Sequence, residues 1–180
     1  MIKITLPDGT TKEYEKGVKV LDVTKDISEG LARVALGAAV NKETKGMQES
    51  INEDSTFNVV KFDDYEGRQI FWHTSAHIMA LAVQRLYPDV IFAIGPAIDN
   101  GFYYDFDTDH RFVPEDLEKI EAEMKKIVKE NYLLERYEMP RDEALEYFKD
   151  KNEIYKVDLI ENLPSNEIIS FYELGEFTDL

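Results

Sequence analysis

Residues 70–86 read Ile-Phe-Trp-His-Thr-Ser-Ala-His-Ile-Met-Ala-Leu-Ala-Val-Gln-Arg-Leu, and this stretch predicts a buried central helix. Its residues are apolar nearly all round, and Pro88 follows soon after the last of them, where a proline ends a helix. At about 100° per residue, positions four apart differ by about 40°. His73 and His77 therefore project from the same face, one turn apart, and the small Ala80 continues that face.

A helical pair of histidines serves three kinds of chemistry, namely metal ligation, proton transfer and hydrogen bonding to a sugar hydroxyl or ester oxygen. The zinc-binding His-Glu-x-x-His helix also supplies a glutamate as general base, but Thr74 occupies that position here. Two histidines alone do not complete a zinc site, which takes four ligands. A structural role is the remaining alternative, with both rings hydrogen-bonded at the edge of the core. The pair by itself leaves these interpretations open.

Composition restricts the functions open to this chain. The 37 acidic and 21 basic side chains give a formal charge of −16, which argues against binding nucleic acid by bulk charge. Any contact with nucleic acid must then be local. The absence of cysteine excludes disulfides, thiolate metal sites and a cysteine nucleophile within the chain. No apolar run approaches the roughly 18 residues of a membrane span, and the N-terminus lacks a signal-peptide pattern, so we expect a cytoplasmic protein without a membrane partner.

The first 62 residues have the pattern of a small sheet packed on one helix, which predicts a β-grasp domain. Polar residues 63–67 include a glycine and are predicted to be a linker. The predicted elements are a hairpin of residues 2–6 and 11–14, a helix at 18–28, and strands at 34–40 and 56–62.

Residues 68–180 are predicted to form a second, α+β domain that begins with the central helix. Asn100-Gly101, between two β-prone runs, is the strongest short hairpin signal in the chain. Pro114 fits the first turn of an amphipathic helix over residues 114–130. The other predicted elements are strands at 90–94 and 133–139, a short helix at 141–149, another short element at 153–160, and a hairpin of 167–172 with 177–180 that turns around Gly175.

Two motifs carry a resemblance to a known family. The His-Thr-Ser-Ala-His motif at 73–77, followed by Gly-Pro-Ala-Ile-Asp-Asn-Gly at 95–101, resembles the editing domain of the threonyl-tRNA synthetase family, shared in outline with alanyl-tRNA synthetase. Residues 4–9 resemble the N-terminal domain of the same family, a ubiquitin-like β-grasp module called TGS. Residues 153–157 and 177–180 also fall where the family has related segments. The resemblance implies a TGS domain over 1–62 and an α+β editing domain over 68–180.

The resemblance also implies that the functional cluster extends past these residues. In the family, the aspartate corresponding to Asp179 is followed by Cys-Arg-Gly-Pro-His, whose Cys and His join the helical pair, whereas this chain ends at Leu180. We therefore expect an editing domain that is incomplete at its C-terminus, with little activity alone. The family places its aminoacylation domain, with ATP, magnesium and zinc, and its anticodon-binding domain further on. No cofactor is expected in these residues, and homodimer formation is expected only through those other domains.

The resemblance implies a role for particular residues of this chain. The family charges tRNA with threonine and hydrolyses mischarged seryl-tRNA. By this resemblance His73, His77 and Lys156 are the candidate catalytic residues, Tyr104 and Asp179 are the candidate substrate-binding residues, no metal is held, and the partner is the acceptor end of tRNA(Thr). Two alternatives are a freestanding aminoacyl-tRNA deacylase, and a non-catalytic β-grasp module that binds RNA or a nucleotide beside a scaffold domain.

Overall fold

The computed structural model describes all 180 residues, which divide into two compact units, Met1–Trp72 and His73–Leu180. The division falls within helix α3, which spans Tyr65–Leu86. Residues 65–67 were predicted as part of a linker, but they form the start of this helix. The linker prediction took Gly67 as a sign of flexibility, but an added Cβ at this residue would lie 1.8 Å from the Lys61 carbonyl oxygen. This glycine permits a close backbone approach and is not a sign of chain flexibility.

The first unit forms a five-stranded sheet in the order β2-β1-β7-β4-β5, with β3 and β6 paired separately. Strands β1 and β7 are parallel, and the other neighbouring pairs are antiparallel. Its elements are β1 Ile2–Thr5, β2 Thr11–Tyr14, β3 Val18–Lys19, α1 Val20–Ile27, α2 Glu29–Ala32, β4 Ala35–Val40, β5 Glu43–Gly46, β6 Ser50–Ile51 and β7 Ser55–Lys61.

Helix α1 packs on this sheet through Val20 and Val23, which share a buried cluster with Ile4 and Phe57. The predicted β-grasp fold is confirmed. Strand β5 was not predicted, because its residues 43–46 are polar or glycine and give no apolar alternation. Its position depends on a tight turn in which Asn41 and Lys42 both have positive φ, of 51° and 72°.

The second unit combines the C-terminal part of α3 with short strands and three further helices, so the predicted α+β class is confirmed. Its sheets are β8 with β11, β9 with β10, and a three-stranded antiparallel sheet in the order β12-β13-β14. Its further elements are β8 Ile91–Phe92, β9 Ala97–Ile98, β10 Gly101–Phe102, β11 Phe106–Asp107, α4 Pro114–Glu130, β12 Leu134–Glu138, α5 Arg141–Asp150, α6 Ile154–Asn162, β13 Ser170–Leu174 and β14 Phe177–Asp179.

Helix α3 supplies the main core of this unit, because residues 80–83 are completely buried against β8, α4 and the β13–β14 hairpin. A second cluster, around Phe148, Ile160 and Phe171, joins α5 and α6 to β13. None of the helices is long and apolar enough to cross a membrane.

An ion-pair network fixes the C-terminal end of α3. The Arg85 guanidinium donates to Glu123 and Glu130 of α4 and to Glu176 in the turn between β13 and β14, over distances of 2.6 to 3.3 Å. These carboxylates raise the pKa of Arg85 further above its ordinary value. The network ties the hairpin that ends at Asp179 to the helix that carries the two histidines.

The predicted hairpin near Asn100 is present, but its two-residue turn is Asp99-Asn100, one residue earlier than predicted. The strand pairing joins Ile98 to Gly101, so Gly101 already belongs to the second strand. Its φ of 156° suits glycine in particular, which explains why the glycine follows the turn.

Candidate functional site

The two histidines of α3 meet as predicted from their spacing. Their Nε2 atoms lie 3.0 Å apart, which is a hydrogen-bonding distance, and their ring centroids are 4.4 Å apart. His77 is only 2% exposed, whereas His73 is half-buried. Completely buried Ala76 and Ala80 lie on the same helix, where small side chains leave room for the packed rings. The His77 ring is thus enclosed, and the His73 side chain is partly exposed.

Three further predicted residues form a buried polar network beside this pair. Lys156 and Asp179, which are 3% and 4% exposed, form an ion pair in which the ammonium donates to Asp179 Oδ1. The Tyr104 hydroxyl donates to Asp179 Oδ2 over 2.5 Å and lies 3.3 Å from Lys156 Nζ. The Leu180 amide donates to Oδ1 over 2.8 Å. The structure therefore brings together the helix α6, the strand β14 and the segment before β11.

The carboxylate of Asp179 joins this network to the histidines. Asp179 Oδ2 lies 4.0 Å from His77 Nδ1, which is buried and has no hydrogen-bond partner. We infer that His77 carries its proton on Nδ1, because a lone pair facing a carboxylate would be repelled. His77 Nε2 then accepts from His73 Nε2–H, and this leaves the lone pair of His73 on Nδ1. His73, the half-buried histidine, therefore presents Nδ1 as an atom that can accept a proton.

Both imidazoles are held in the neutral form at neutral pH. Burial lowers the pKa of His77 from 6.5 to about 4, opposed by Asp179 and reinforced by His73 and Lys156. Burial also lowers the pKa of His73, and the charge of Asp179 partly offsets this. A neutral imidazole can accept a proton, so the pair has the ionisation state of a general base.

The pKa values of Asp179 and Tyr104 are shifted in opposite directions. Burial alone would raise the pKa of Asp179, but the charge of Lys156, the nearby His77 and the hydrogen bonds from Lys156 and Tyr104 bring it below its ordinary value. Burial and the negative charge of Asp179 raise the pKa of Tyr104 far above its ordinary range. The network thus contains a carboxylate and a neutral phenol. Both Asp179 oxygens are occupied within the chain, so its contact with a substrate stays a prediction.

Gly95 explains how the Gly-Pro-Ala-Ile-Asp-Asn-Gly motif contributes to this network. A Cβ added at Gly95 would lie 2.1 Å from the Tyr104 ring, so only glycine lets the ring pack on this backbone. The ring also stacks on Phe106 with centroids 5.2 Å apart. Tyr104 is thereby held with its hydroxyl directed at Asp179.

Two residues that sequence reasoning did not select lie at the same site. The Tyr172 ring contacts His73 and His77, with centroid distances of 4.7 and 5.6 Å. It is paired with Asp179 across the β13–β14 hairpin, and the predicted turn at Gly175 gave the signal that could have found it. Glu153 precedes α6, and its carboxylate accepts from the Phe92 amide over 3.2 Å. Its sequence position gave no comparable signal.

The third histidine lies outside this cluster. His110 Nε2 is 2.8 Å from Asp116 Oδ2, at the N-terminus of α4, and its side chain is 39% exposed. No group of three or more His, Cys, Asp or Glu side chains is arranged to hold a metal ion.

Comparisons with known proteins agree with the two motifs. Residues 2–61 match the TGS domain family. Over all 180 residues the chain is 59% identical to the threonine–tRNA ligases of Clostridioides difficile and of Finegoldia magna, and 56% identical to that of Acetivibrio thermocellus. These matches cover 100% of this chain and 28% of each relative, so the chain spans about 28% of the length of the curated relatives it matches. The resemblance inferred from the sequence motifs is confirmed.

Proposed function

We propose that this chain, which corresponds to the N-terminal region of the threonine–tRNA ligases, carries part of the site that hydrolyses mischarged seryl-tRNA(Thr) for such a ligase. Residues 1–62 are the TGS domain and residues 68–180 belong to the editing domain in this proposal. Its partner is the acceptor end of tRNA(Thr). Charging of tRNA with threonine, its ATP, magnesium and zinc, dimer formation and a cytoplasmic location are proposed for the whole ligase.

A separate hydrolytic site follows from the chemistry of the two amino acids. Threonine differs from serine by one methyl group, which changes binding free energy by only about 1–3 kcal/mol. A pocket for threonine therefore cannot reject serine strongly enough by affinity. Hydrolysis of the finished seryl ester removes the error after it has formed.

The ionisation of the cluster fits ester hydrolysis. His73 Nδ1 accepts a proton from a water molecule as the water oxygen attacks the ester carbonyl carbon. The proton returns to the departing ribose oxygen, and the products are serine and tRNA with a free hydroxyl group. His77 holds the His73 ring through the Nε2 contact of 3.0 Å.

Lys156 has a geometry suited to stabilising the negative charge that develops on the carbonyl oxygen. Its ammonium has three N–H donors, and its partners within the chain are Asp179 and the Tyr104 hydroxyl. One donor remains for an oxyanion, in a site where burial strengthens electrostatic interactions. Asp179 keeps the ammonium in place without itself needing to contact the substrate.

The observation that carries the proposal is the joining of the histidine pair to the Lys156–Asp179 ion pair, through the 4.0 Å contact of His77 with Asp179. A base and a charge stabiliser thereby share one buried cluster. A non-catalytic binding module would not require this pairing. The charge of −16 indicates that tRNA contacts must be confined to the neighbourhood of such a site.

The test is hydrolysis of purified seryl-tRNA(Thr) by the full-length gene product, with the 180-residue chain assayed beside it and threonyl-tRNA(Thr) as the control substrate. We expect His73→Ala to lower the rate by about 10²–10⁴ while the melting temperature changes little. Lys156→Met is tested together with Asp179→Asn, so that no buried charge loses its partner, and we expect a similar loss.

His110→Gln is the matched control, since glutamine keeps a donor for Asp116 and the residue lies outside the cluster. Its rate should equal that of the wild type. A folded, full-length protein that leaves seryl-tRNA(Thr) intact would contradict the proposal. It would favour the non-catalytic binding module instead.

A further inference from the structure

Glu153 occupies the junction between α5 and α6, immediately before the helix that carries Lys156. Its amide donates to the Phe148 carbonyl over 2.9 Å, and its own carbonyl accepts from the Lys156 and Val157 amides over 3.1 Å. The backbone of Glu153 therefore closes the first turn of α6. Its half-buried side chain extends away from that helix to the Phe92 amide of β8.

The strand that receives this side chain also packs against the cluster. Phe92 is 2% exposed, and its ring contacts Tyr104 and Phe177 with centroid distances of 5.8 and 5.2 Å. Phe177 lies two residues before Asp179 on β14. The carboxylate of Glu153 thus links the start of the Lys156 helix to a strand whose Phe92 ring contacts Tyr104 directly and contacts β14 at Phe177, two residues before Asp179.

We propose that Glu153 is a positioning residue, which fixes the first turn of α6 to β8 through the Phe92 amide and so sets where Lys156 meets Asp179. Lys156 lies only three residues after Glu153, less than one helical turn, so a shift of this turn would move the ammonium directly. The carboxylate acts as a hydrogen-bond acceptor, and no contact with a substrate is required of it. For its effect on catalysis, this inference rests on the proposed hydrolytic function.

The Glu153 carboxylate has two properties, a hydrogen bond to the Phe92 amide and a negative charge, and two substitutions separate them. Burial raises its pKa, the Phe92 hydrogen bond and the charges of Lys156 and Lys151 oppose this, and the charge of Asp179 adds to the increase. Glu153 in turn contributes to the raised pKa of Tyr104. Glu153→Gln keeps an acceptor for the Phe92 amide and removes the charge, whereas Glu153→Ala removes both.

The direct test uses NMR on the 180-residue chain. We expect amide hydrogen exchange at Phe92 to become about tenfold faster or more in Glu153→Ala, and to stay within about threefold of the wild type in Glu153→Gln. The side-chain signals of Lys156 should shift in the alanine variant and stay close to their wild-type positions in the glutamine variant. Glu161→Ala, at an exposed position of the same helix, is the matched control and should change neither measurement.

The second measurement is the rate of seryl-tRNA(Thr) hydrolysis by the full-length gene product. Glu153→Ala should lower kcat by about tenfold or more with little change in KM, and Glu153→Gln should restore most of it. Unchanged Phe92 exchange in Glu153→Ala, or a glutamine variant as impaired as the alanine variant, would overturn the positioning role. A wild type without hydrolytic activity would instead refute the proposed function, and the NMR measurements would still decide the role of Glu153.

Discussion

Acidification should destabilise the second unit through His77 in particular. The folded unit holds this ring neutral, since burial lowers its pKa to about 4, while the unfolded chain has the ordinary value of 6.5. Between these two values the unfolded state binds the proton and the folded state does not. Stability from this group is therefore fully present above pH 6.5 and is lost as the pH falls through about 4.

The size of the effect follows from the same difference in pKa. At about 1.36 kcal/mol for each pKa unit, a fall from 6.5 to about 4 corresponds to about 3 kcal/mol. Other groups titrate in this range, so the informative quantity is the stability of the wild type relative to His77→Gln. Glutamine keeps an amide that can bond to His73 but cannot be protonated. The stability advantage of the wild type should shrink by about 3 kcal/mol between pH 7.5 and pH 4.

The assay is urea unfolding at a series of pH values, followed by the amide NMR signals of residues 80–83 in the second unit. These signals report the second unit even where the first unfolds separately. The reasoning fails if the wild type and His77→Gln lose stability in parallel, or if the ring signals of His77 titrate at pH 6 or above.

Two further substitutions test how the cluster is held. Gly95→Ala should cost about 1–3 kcal/mol in the free energy of unfolding and displace Tyr104 from its hydrogen bonds, because the new Cβ would overlap the Tyr104 ring. Gly30→Ala should cost far less, because a Cβ there meets only a contact of 3.5 Å. Equal urea midpoints for the two variants would contradict this reasoning. Arg85→Ala should cost about 1 kcal/mol by leaving Glu130 and Glu176 without this cation, while Glu123 keeps its ion pair with Lys126. Arg85→Lys should cost less, and the effect should shrink in about 1 M salt. A loss independent of salt would show that packing, not charge, holds this network.

The sequence alone determined those elements whose start, end and apolar face are set by residues close to one another in the chain. The predicted bounds of α4 agree with the structure because Pro114 suits a first helical turn and Asn131 ends the helix in a left-handed conformation, with φ of 55°. The shared face of His73 and His77 follows from helical periodicity alone. Alternating apolar residues and turn signals also predicted four strands of the β-grasp sheet, but not β5, whose residues are polar or glycine.

The selection of the other site residues depended on more than local pattern. A lone Lys156 or Asp179 in a sequence is ordinarily a solvated side chain, and only the family resemblance selected them. Their burial and pairing depend on packing between segments 23 residues apart. The catalytic role of Lys156 and the substrate-binding role of Asp179 stay predictions.

Tertiary structure alone decided the meaning of Gly67 and Gly95, since a glycine that permits close approach is indistinguishable in sequence from one that provides flexibility. It also decided the role of Glu153, whose partner Phe92 lies 61 residues away. Sequence periodicity specifies which face of an element is apolar, but it does not specify which distant backbone amide faces a given carboxylate. That depends on how helices and strands pack together, and the sequence determines this only through all of its contacts at once.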